Sequence, residues 1–216
     1  MYLSRVALDT NRRQTMAAMA SPHQMHGLVE SCFGNYGVAR KRNLWRIDWL
    51  NGTCYLMMLS AEPPECHQLS EQLCNPELEQ PWETKAYTPL LERLQKGDQW
   101  QFRLSANPVK SSAKDKENQD DRGRVHAHVT QEQQNQWLQQ RSEKNGFILE
   151  ENQFNVVRSE WKRFTKGSHA RQQVTLRMAT YEGVLKIHEV QRFKEALMQG
   201  IGRGKAYGCG LLTIAR

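Results

Sequence analysis

The sequence predicts an α+β protein made of two tandem ferredoxin-like (RRM-like) domains, each with the element order β-α-β-β-α-β. Three observations lead to this prediction. The chain has 216 residues, a length that suits two small domains. Strand and helix signals follow the expected order up to residue 110, and a similar order recurs after a polar stretch. We therefore assign 1–110 to an N-terminal domain, 111–124 to a polar linker and 125–216 to a C-terminal domain.

The strands of the N-terminal domain have the clearest signals. Residues 2–8 are rich in β-forming side chains, and residues 44–50 alternate between two faces. Asn51-Gly52 then supplies the residues of a tight turn, and residues 55–59 form the second strand of a hairpin. Residues 100–106 alternate in the same way, and we assign them as the last strand of this domain.

The helix between the first strand and the hairpin has a well-marked start. Ser21 occupies the N-cap, Pro22 the first helical position and Gln24 the third, which is a capping box. The apolar face of this helix consists of Met25, Leu28, Val29 and Cys32. A shorter helix is predicted from Thr88-Pro89 to Gly97.

The C-terminal domain repeats this order with weaker signals. Thr130 caps a helix around Trp137 and Leu138, and a later helix ends at Gly200 after an apolar pattern that begins at Val190. The predicted strands lie at 147–149, 154–158, 174–180, 184–187 and 211–214.

Composition limits the classes of function. There are 30 Lys and Arg against 23 Asp and Glu, so a net charge of +7 favours a polyanionic partner, with nucleic acid the leading candidate. No apolar stretch is long enough to span a membrane, and residues 1–6 lack the features of a signal peptide, so we expect a cytoplasmic protein without membrane association. The five cysteines are odd in number and form no C-x-x-C pair, which indicates buried thiols.

The charge is unevenly distributed along the chain. Six acidic residues and no basic ones lie between Glu62 and Glu83, and we expect this acidic segment to face away from nucleic acid. The segment from 158 to 171 is basic and predicts a polyanion-binding hairpin, with Trp161 and Phe164 either packed on their own sheet or stacked on a base. Its cationic residues are Arg158, Lys162, Arg163, Lys166 and Arg171. The basic residues at 110–124 are diluted by acidic ones and indicate a mobile linker or, alternatively, a phosphate contact.

A glycine-rich segment lies near the C-terminus. Its glycines are Gly200, Gly202, Gly204, Gly208 and Gly210. The segment follows a helix and precedes a strand, which is the reverse of a dinucleotide-binding loop, and it lacks the Gly-Lys-Ser/Thr of a P-loop. Its backbone N–H groups, with Arg203 and Lys205, would contact phosphate; alternatively, it forms a tight connection packed against the first domain.

Five stretches carry a family resemblance: residues 1–6 (MYLSRV), 22–28 (PHQMHGL), 102–110 (FRLSANPVK), 181–185 (YEGVL) and 200–212 (GIGRGKAYGCGLL). In this order and spacing, the chain resembles the CasE-type CRISPR-associated endoribonucleases. The resemblance implies two ferredoxin-like domains, no metal or other cofactor, and cleavage of CRISPR precursor RNA on the 3′ side of the repeat hairpin. It also implies that the product RNA is retained together with other subunits of the Cascade complex.

The resemblance also implies the catalytic residues. The catalytic histidine of the family falls on His26, and His23 stands where the family commonly has tyrosine. The two share a helix face, so both would reach one phosphate, as general base and general acid in either assignment. The products would carry 2′,3′-cyclic phosphate and 5′-OH ends. The alternatives are a structural role for His26 and a merely solvated His23. The family's RNA-binding hairpin maps to 158–171, where Arg158 and Lys162 are the preferred contacts.

Several other interpretations stay open. Zinc binding by Cys66, His67 and Cys74 would need a fourth ligand and is disfavoured. His126 and His128 indicate one face of a strand or linker end, with RNA contact less favoured. The protein could also be a non-catalytic RNA-binding relative, or an assembly subunit that uses the acidic segment and the glycine-rich segment for protein contacts.

Overall fold

The computed structural model of the chain describes residues 1–34, 42–111, 125–166 and 173–216. The elements of its first unit, residues 1–86, are β1 (Tyr2–Leu8), α1 (Arg13–Ala20), α2 (Pro22–Ser31), β2 (Leu44–Leu50), β3 (Thr53–Ser60), α3 (His67–Leu73) and β4 (Trp82–Ala86). Their antiparallel sheet has the strand order β2-β3-β1-β4. This is the order of a ferredoxin-like unit, in which the first strand lies at the centre and the fourth beside it.

The second unit, residues 99–216, follows helix α4 (Thr88–Arg93). Its elements are β5 (Gln99–Ala106), β6 (Val109–Ser111), β7 (Val125–Ala127), α5 (Gln131–Ser142), β8 (Phe147–Ile148), β9 (Phe154–Thr165), β10 (Gln173–Ile187), α6 (Val190–Gln199) and β11 (Leu212–Ala215). The sheet has the order β11-β5-β10-β8, and β9 also pairs with β10. Both sheets are antiparallel and carry helices, which confirms the predicted fold class.

Strand β5 belongs to a different sheet from the one that the sequence predicts. The sequence places residues 100–106 in the first domain, whereas β5 pairs with β10 and β11 and is the central strand of the second sheet. The missing strand of the first unit is β4, whose short, largely exposed sequence Trp-Glu-Thr-Lys-Ala has no apolar alternation to reveal it. The second unit therefore begins at β5 and not after the polar stretch.

The polar stretch lies inside the second unit. Strand β6 pairs antiparallel with β7, with Val109 opposite Ala127, so the stretch connects two paired strands and does not join two domains. Of the predicted linker, residues 112–124 fall outside the described residues. Polarity in a sequence does not tell whether a connection lies between domains or within one.

Two predicted strands, 174–180 and 184–187, are parts of the single strand β10. Gly183, which separates them in the prediction, allows β9 to approach closely, since a Cβ there would collide with the backbone of Gln153 and Phe154. Strand β9 is also longer than predicted. A register shift beside Tyr181 bends this long hairpin.

The predicted helix starts at Ser21 and Thr130 agree with the structure, unlike the predicted sheet membership of β5. The side chain of Ser21 accepts a hydrogen bond from the backbone N–H of Gln24 at 3.4 Å, and Thr130 forms a full capping box with Gln133. Helix α1 was not predicted; it has no side-chain cap at its start. None of the helices in the described ranges is long and apolar enough to cross a membrane.

A buried ion pair joins the two units. Arg46 on β2 binds Asp48 through two hydrogen bonds of 2.7 and 2.6 Å. The same guanidinium donates to the backbone oxygens of Arg103 and Leu211 and to the Thr213 hydroxyl, all in the second unit. Because the charges lie within the core, this arrangement holds the first sheet against the second in one orientation.

Candidate active site

Helix α2 presents His26 at the edge of its buried face. Met25 and Val29, on either side of it along the helix, are fully buried. The His26 side chain keeps 33% of its surface exposed, and its Nδ1 lies 3.9 Å from Oε1 of Glu30, one turn later. Nδ1 is buried and has no hydrogen-bond partner among the described residues. The exposed part of the ring therefore lies away from Nδ1, where a substrate can reach it.

Burial is the main influence on the charge of His26. It lowers the pKa of the imidazole, and the nearby charges of His23 and Arg42 lower it further. Glu30 opposes them by raising the pKa, but the net direction is downward. The ring is therefore neutral at neutral pH, which is the form that accepts a proton.

His23 lies one turn before His26 on the same helix, half-buried. Its charge acts on the pKa of His26, which shows that the two imidazoles are close enough to interact. The structure thus brings together the two histidines that the resemblance singles out. Their roles in a reaction stay a prediction.

Two cations from other parts of the chain lie near this pair. Lys205, in a single-turn 3-10 helix from Lys205 to Tyr207, donates a hydrogen bond from Nζ to the backbone oxygen of Gln199 at 2.7 Å. Burial lowers the pKa of Lys205, and Arg42 lowers it further. Arg42 acts on the pKa of both His26 and Lys205, and the turn that carries Lys205 contacts α2, so these groups are close enough to interact.

Arg42 was missed by sequence reasoning. The available signal was the run Arg40-Lys41-Arg42 just before β2, three adjacent cations that would repel one another without an anionic partner. Of these, Arg42 lies within the described residues and is exposed. Only the packing of the first unit places it beside α2.

The glycine-rich segment packs against the first unit. A Cβ at Gly208 would lie 2.8 Å from the ring of Trp45, and one at Gly200 would lie 2.9 Å from Leu44. The 3-10 turn that contains Lys205 contacts both α2 and β2. These contacts show that the segment packs closely against the first unit, which is one of the two interpretations that the sequence left open. The remaining glycines, Gly202, Gly204 and Gly210, also have positive φ angles.

Strands β9 and β10 form the hairpin predicted for the basic segment. Arg158 and Lys162 project to one side, where Glu160 lies between them at 3.0 and 3.4 Å. Glu160 therefore offsets part of their charge. Arg163 and Lys166 are exposed, and Arg171 lies outside the described residues.

The two aromatic residues of this hairpin have different surroundings. Phe164 is buried, and its ring meets the ring of Tyr207 edge to face at 4.8 Å. Trp161 is 44% exposed, and the guanidinium of Arg177 lies over its ring at 5.4 Å. Phe164 thus packs the hairpin against the turn that carries Lys205, whereas Trp161 stays open to solvent.

A cavity of about 110 Å³ lies between the two units. Pro22, the first residue of α2, lines one side, and Arg158 and Lys162 of the hairpin line the other. Tyr207 and Gly208 complete it from the glycine-rich segment. The cavity therefore connects the helix that carries the histidines with the basic hairpin.

The structure does not favour the zinc alternative. Cys66 is buried, with its Sγ 2.8 Å from Sγ of Cys32. His67 is largely exposed and meets Trp82 edge to face, so it points away from the thiol. Within the described ranges, no group of three or more His, Cys, Asp or Glu side chains could hold a metal ion. The described free thiols, including Cys74, are all buried, as expected.

Comparison with known proteins decides the family. The family described as "CRISPR associated protein" matches residues 1–216, the whole chain. The chain belongs to this family. Over the full length of both chains, it is 28% identical to a protein of Thermus thermophilus named CRISPR-associated endoribonuclease Cse3. A second relative, from Escherichia coli, is named CRISPR system Cascade subunit CasE; it is 25% identical over all of this chain and 99% of its own.

Solved structures agree with this assignment. This family member superposes with a TM-score of 0.79 on a structure of CRISPR endoribonuclease Cse3 bound to a 19 nt RNA, at 25% identity over 100% of this chain and 99% of the other. The CRISPR-associated protein Cas6e from Escherichia coli has the same fold, with a TM-score of 0.66 at 24% identity over 100% and 99% of the two chains. The resemblance to CasE-type endoribonucleases is thereby confirmed.

Proposed function

We propose that this protein is a metal-independent endoribonuclease that cleaves CRISPR precursor RNA on the 3′ side of the repeat hairpin. The full-length similarity to the Thermus thermophilus endoribonuclease supports the class of reaction. The observation that carries the proposal is the position of His26. It is a neutral, partly exposed imidazole on a helix that faces the cationic Lys205 turn of the second unit.

Cleavage needs three contributions. A base takes the proton from the 2′-OH, the 2′-oxygen attacks phosphorus, and the P–O5′ bond breaks as an acid protonates the leaving 5′-oxygen. The products carry a 2′,3′-cyclic phosphate and a 5′-OH. Neutral His26 suits the base, and His23 on the same face is the candidate acid. Arg42 and Lys205 would stabilise the negative charge that develops on the phosphate.

The β9–β10 hairpin is the proposed contact for the RNA stem. A-form RNA hides its base edges in a deep, narrow groove, so we expect Arg158 and Lys162 to bind mainly phosphates. Arg163, Lys166 and Arg171 would add further phosphate contacts around the stem, and Arg203 would contact an RNA phosphate beyond the stem. Glu160, held between the first two, would keep their side chains in a fixed orientation.

After cleavage, we propose that the protein keeps the processed RNA as one subunit of a Cascade complex in the cytoplasm. The support is the Escherichia coli relative, whose name places it in that complex. Retention requires that the RNA stem stays bound after the bond beyond it is cut. Binding through stem phosphates meets this requirement, because those contacts do not involve the bond that breaks.

The test compares the RNA bound to the wild-type protein with the RNA bound to His26→Ala. Each protein is produced together with the repeat transcript of its own system and purified in the presence of chelator. The exposed His67 provides a matched control, His67→Ala. We expect short hairpin RNAs with 2′,3′-cyclic phosphate ends from wild type and the control, and uncut precursor from His26→Ala. Uncut RNA from all three would make the protein a binding subunit, and cleavage that chelator abolishes would refute metal independence.

A further inference from the structure

A second basic pocket lies on the second unit. Strand β6, helix α5 and the start of the glycine-rich segment enclose it, and its volume is about 560 Å³. Sites for small ligands commonly have volumes of roughly 300–1,000 Å³. The pocket is therefore large enough for one nucleotide and too small for a helical stem.

The charge in this pocket has a single sign. Lys110, Arg141, Arg203 and His128 line it, and the described lining residues include no Asp or Glu. Burial lowers the pKa of His128, and the charges of Arg141 and Lys110 lower it further. Both observations indicate a positive potential, which favours an anionic ligand such as a phosphate.

Two buried polar atoms in the pocket lack partners. Nε1 of Trp137 and Oδ1 of Asn107 have no hydrogen-bond partner among the described residues. The two residues are only 2% and 6% exposed, and both line the pocket. A buried donor or acceptor without a partner is unfavourable, so small side-chain movements that expose these two atoms to a ligand with an acceptor and a donor would be favoured. The edge of a nucleobase carries such groups.

The remaining lining suits the same kind of ligand. The guanidinium of Arg141 lies over the Trp137 ring at 4.2 Å and presents a planar cationic surface. The amides of Gln136 and Gln140, one helical turn apart on α5, stand at the rim, where they can donate and accept hydrogen bonds. Planar cations and side-chain amides are the groups that contact unpaired bases in RNA-binding proteins.

We propose that this pocket binds one unpaired nucleotide of the RNA, flanking the hairpin stem. Its phosphate would lie at Lys110 and Arg203, and its base edge at Asn107 and Trp137. Arg203 is two residues from Lys205, a span of at most roughly 7 Å. The RNA would thus pass from the histidine site over the glycine-rich segment into the pocket. This inference rests on the proposed function only in taking RNA as the ligand.

The test measures RNA affinity in the His26→Ala background, with two probes. One is the repeat hairpin with unpaired nucleotides on both sides, and the other is the same hairpin with a blunt base. The perturbation is Gln136→Glu, which places a carboxylate at the rim of the pocket with almost no change in shape. The matched control is Gln139→Glu, an exposed position on the same helix that does not line the pocket.

We expect Gln136→Glu to weaken binding of the flanked hairpin about tenfold at low salt, since two like charges about 5 Å apart repel strongly near a protein surface. Binding of the blunt hairpin should be unchanged. Gln139→Glu, which changes the net charge equally, should affect neither probe. Equal effects of the two substitutions on the flanked hairpin, or an equal loss with the blunt one, would overturn the proposal.

The outcome of this binding test does not depend on whether the proposed catalytic function is correct. If His26→Ala still cut the RNA, the catalytic assignment would fail, but the difference between flanked and blunt probes would still be measurable with an RNA that carries 2′-deoxyribose at the cut position. If His26→Ala is inactive and Gln136→Glu shows no selective loss, the catalytic proposal stands and the pocket does not bind a nucleotide.

Discussion

The buried ion pair between the units allows a quantitative prediction. Arg46 and Asp48 are 2% and 3% exposed. Replacing Arg46 by Met removes the paired hydrogen bonds and leaves the carboxylate of Asp48 in the core. Its remaining cationic contact is then Nε of Arg103, at 3.2 Å. Breaking a buried pair from one side commonly costs about 3–5 kcal/mol, and we expect a loss of unfolding free energy in that range.

The double substitution Arg46→Met/Asp48→Leu tests the reason for this loss. It removes both charges, so no unpaired ion stays buried, and we expect it to be more stable than Arg46→Met alone by about 2 kcal/mol. Arg103 keeps a partner in the double variant because it also contacts Glu182 at 2.9 Å. Urea unfolding followed by tryptophan fluorescence measures all three proteins.

The exposed ion pair between Arg5 and Glu83 provides the control. Arg5→Met should leave the urea midpoint nearly unchanged, since water solvates both charges. A small loss for Arg46→Met, comparable to that of Arg5→Met, would refute the reasoning. A double variant no more stable than the single one would also refute it, because the cost would then come from lost packing and from the lost hydrogen bonds to the second unit, and not from an uncompensated charge.

Three further predictions concern the site. Because burial lowers the pKa of His26 below its usual 6.5, its neutral form persists to lower pH. A general base and a general acid together give a bell-shaped single-turnover pH–rate profile, and its acidic limb should lie below about pH 6.5. A flat or monotonic profile would contradict the histidine pair. Gly208→Ala, with φ of +80° and a Cβ 2.8 Å from Trp45, should cost about 2–5 kcal/mol in thermal unfolding, because the steric clash adds to the strain of a left-handed backbone. Gly52→Ala, with φ of +82° and open space around it, carries the backbone strain alone and should cost about 1–2 kcal/mol. Arg158→Gln should lower the slope of log affinity against log salt by about 1, whereas Lys85→Gln on β4 should leave it unchanged.

The outcome for β5 shows where reasoning from sequence fails. The alternation of Trp100, Phe102 and Leu104 correctly indicates a strand, because one face of it is buried. The same pattern contains no information about which neighbouring strand provides the hydrogen bonds. The polar stretch that follows suggested a domain boundary, whereas β5, before that stretch, pairs with β10 and β11 of the second sheet. Strand membership depends on pairing between distant segments, which no local pattern records.

In the candidate site, too, some residues could be predicted from the sequence and others could not. His23 and His26 were identified because they lie in a short motif whose order along the chain matches a known family. Their spacing of three residues also places them on one helix face. Arg42 and the contact between Lys205 and α2 were not foreseen. The packing of the first unit brings Arg42 to this site, and Lys205 comes near α2 only after the two units pack together.

The sequence by itself determined the fold class, the helix that carries the histidines, the basic hairpin and the family. These follow from local hydrogen bonding, from the periodicity of buried side chains and from motifs that are continuous along the chain. Only the tertiary structure decided that β5 begins the second unit, that the glycine-rich segment packs on β2, and that Arg42 and Lys205 lie at one site. Those facts depend on long-range packing, in which the buried Arg46–Asp48 pair holds one unit against the other.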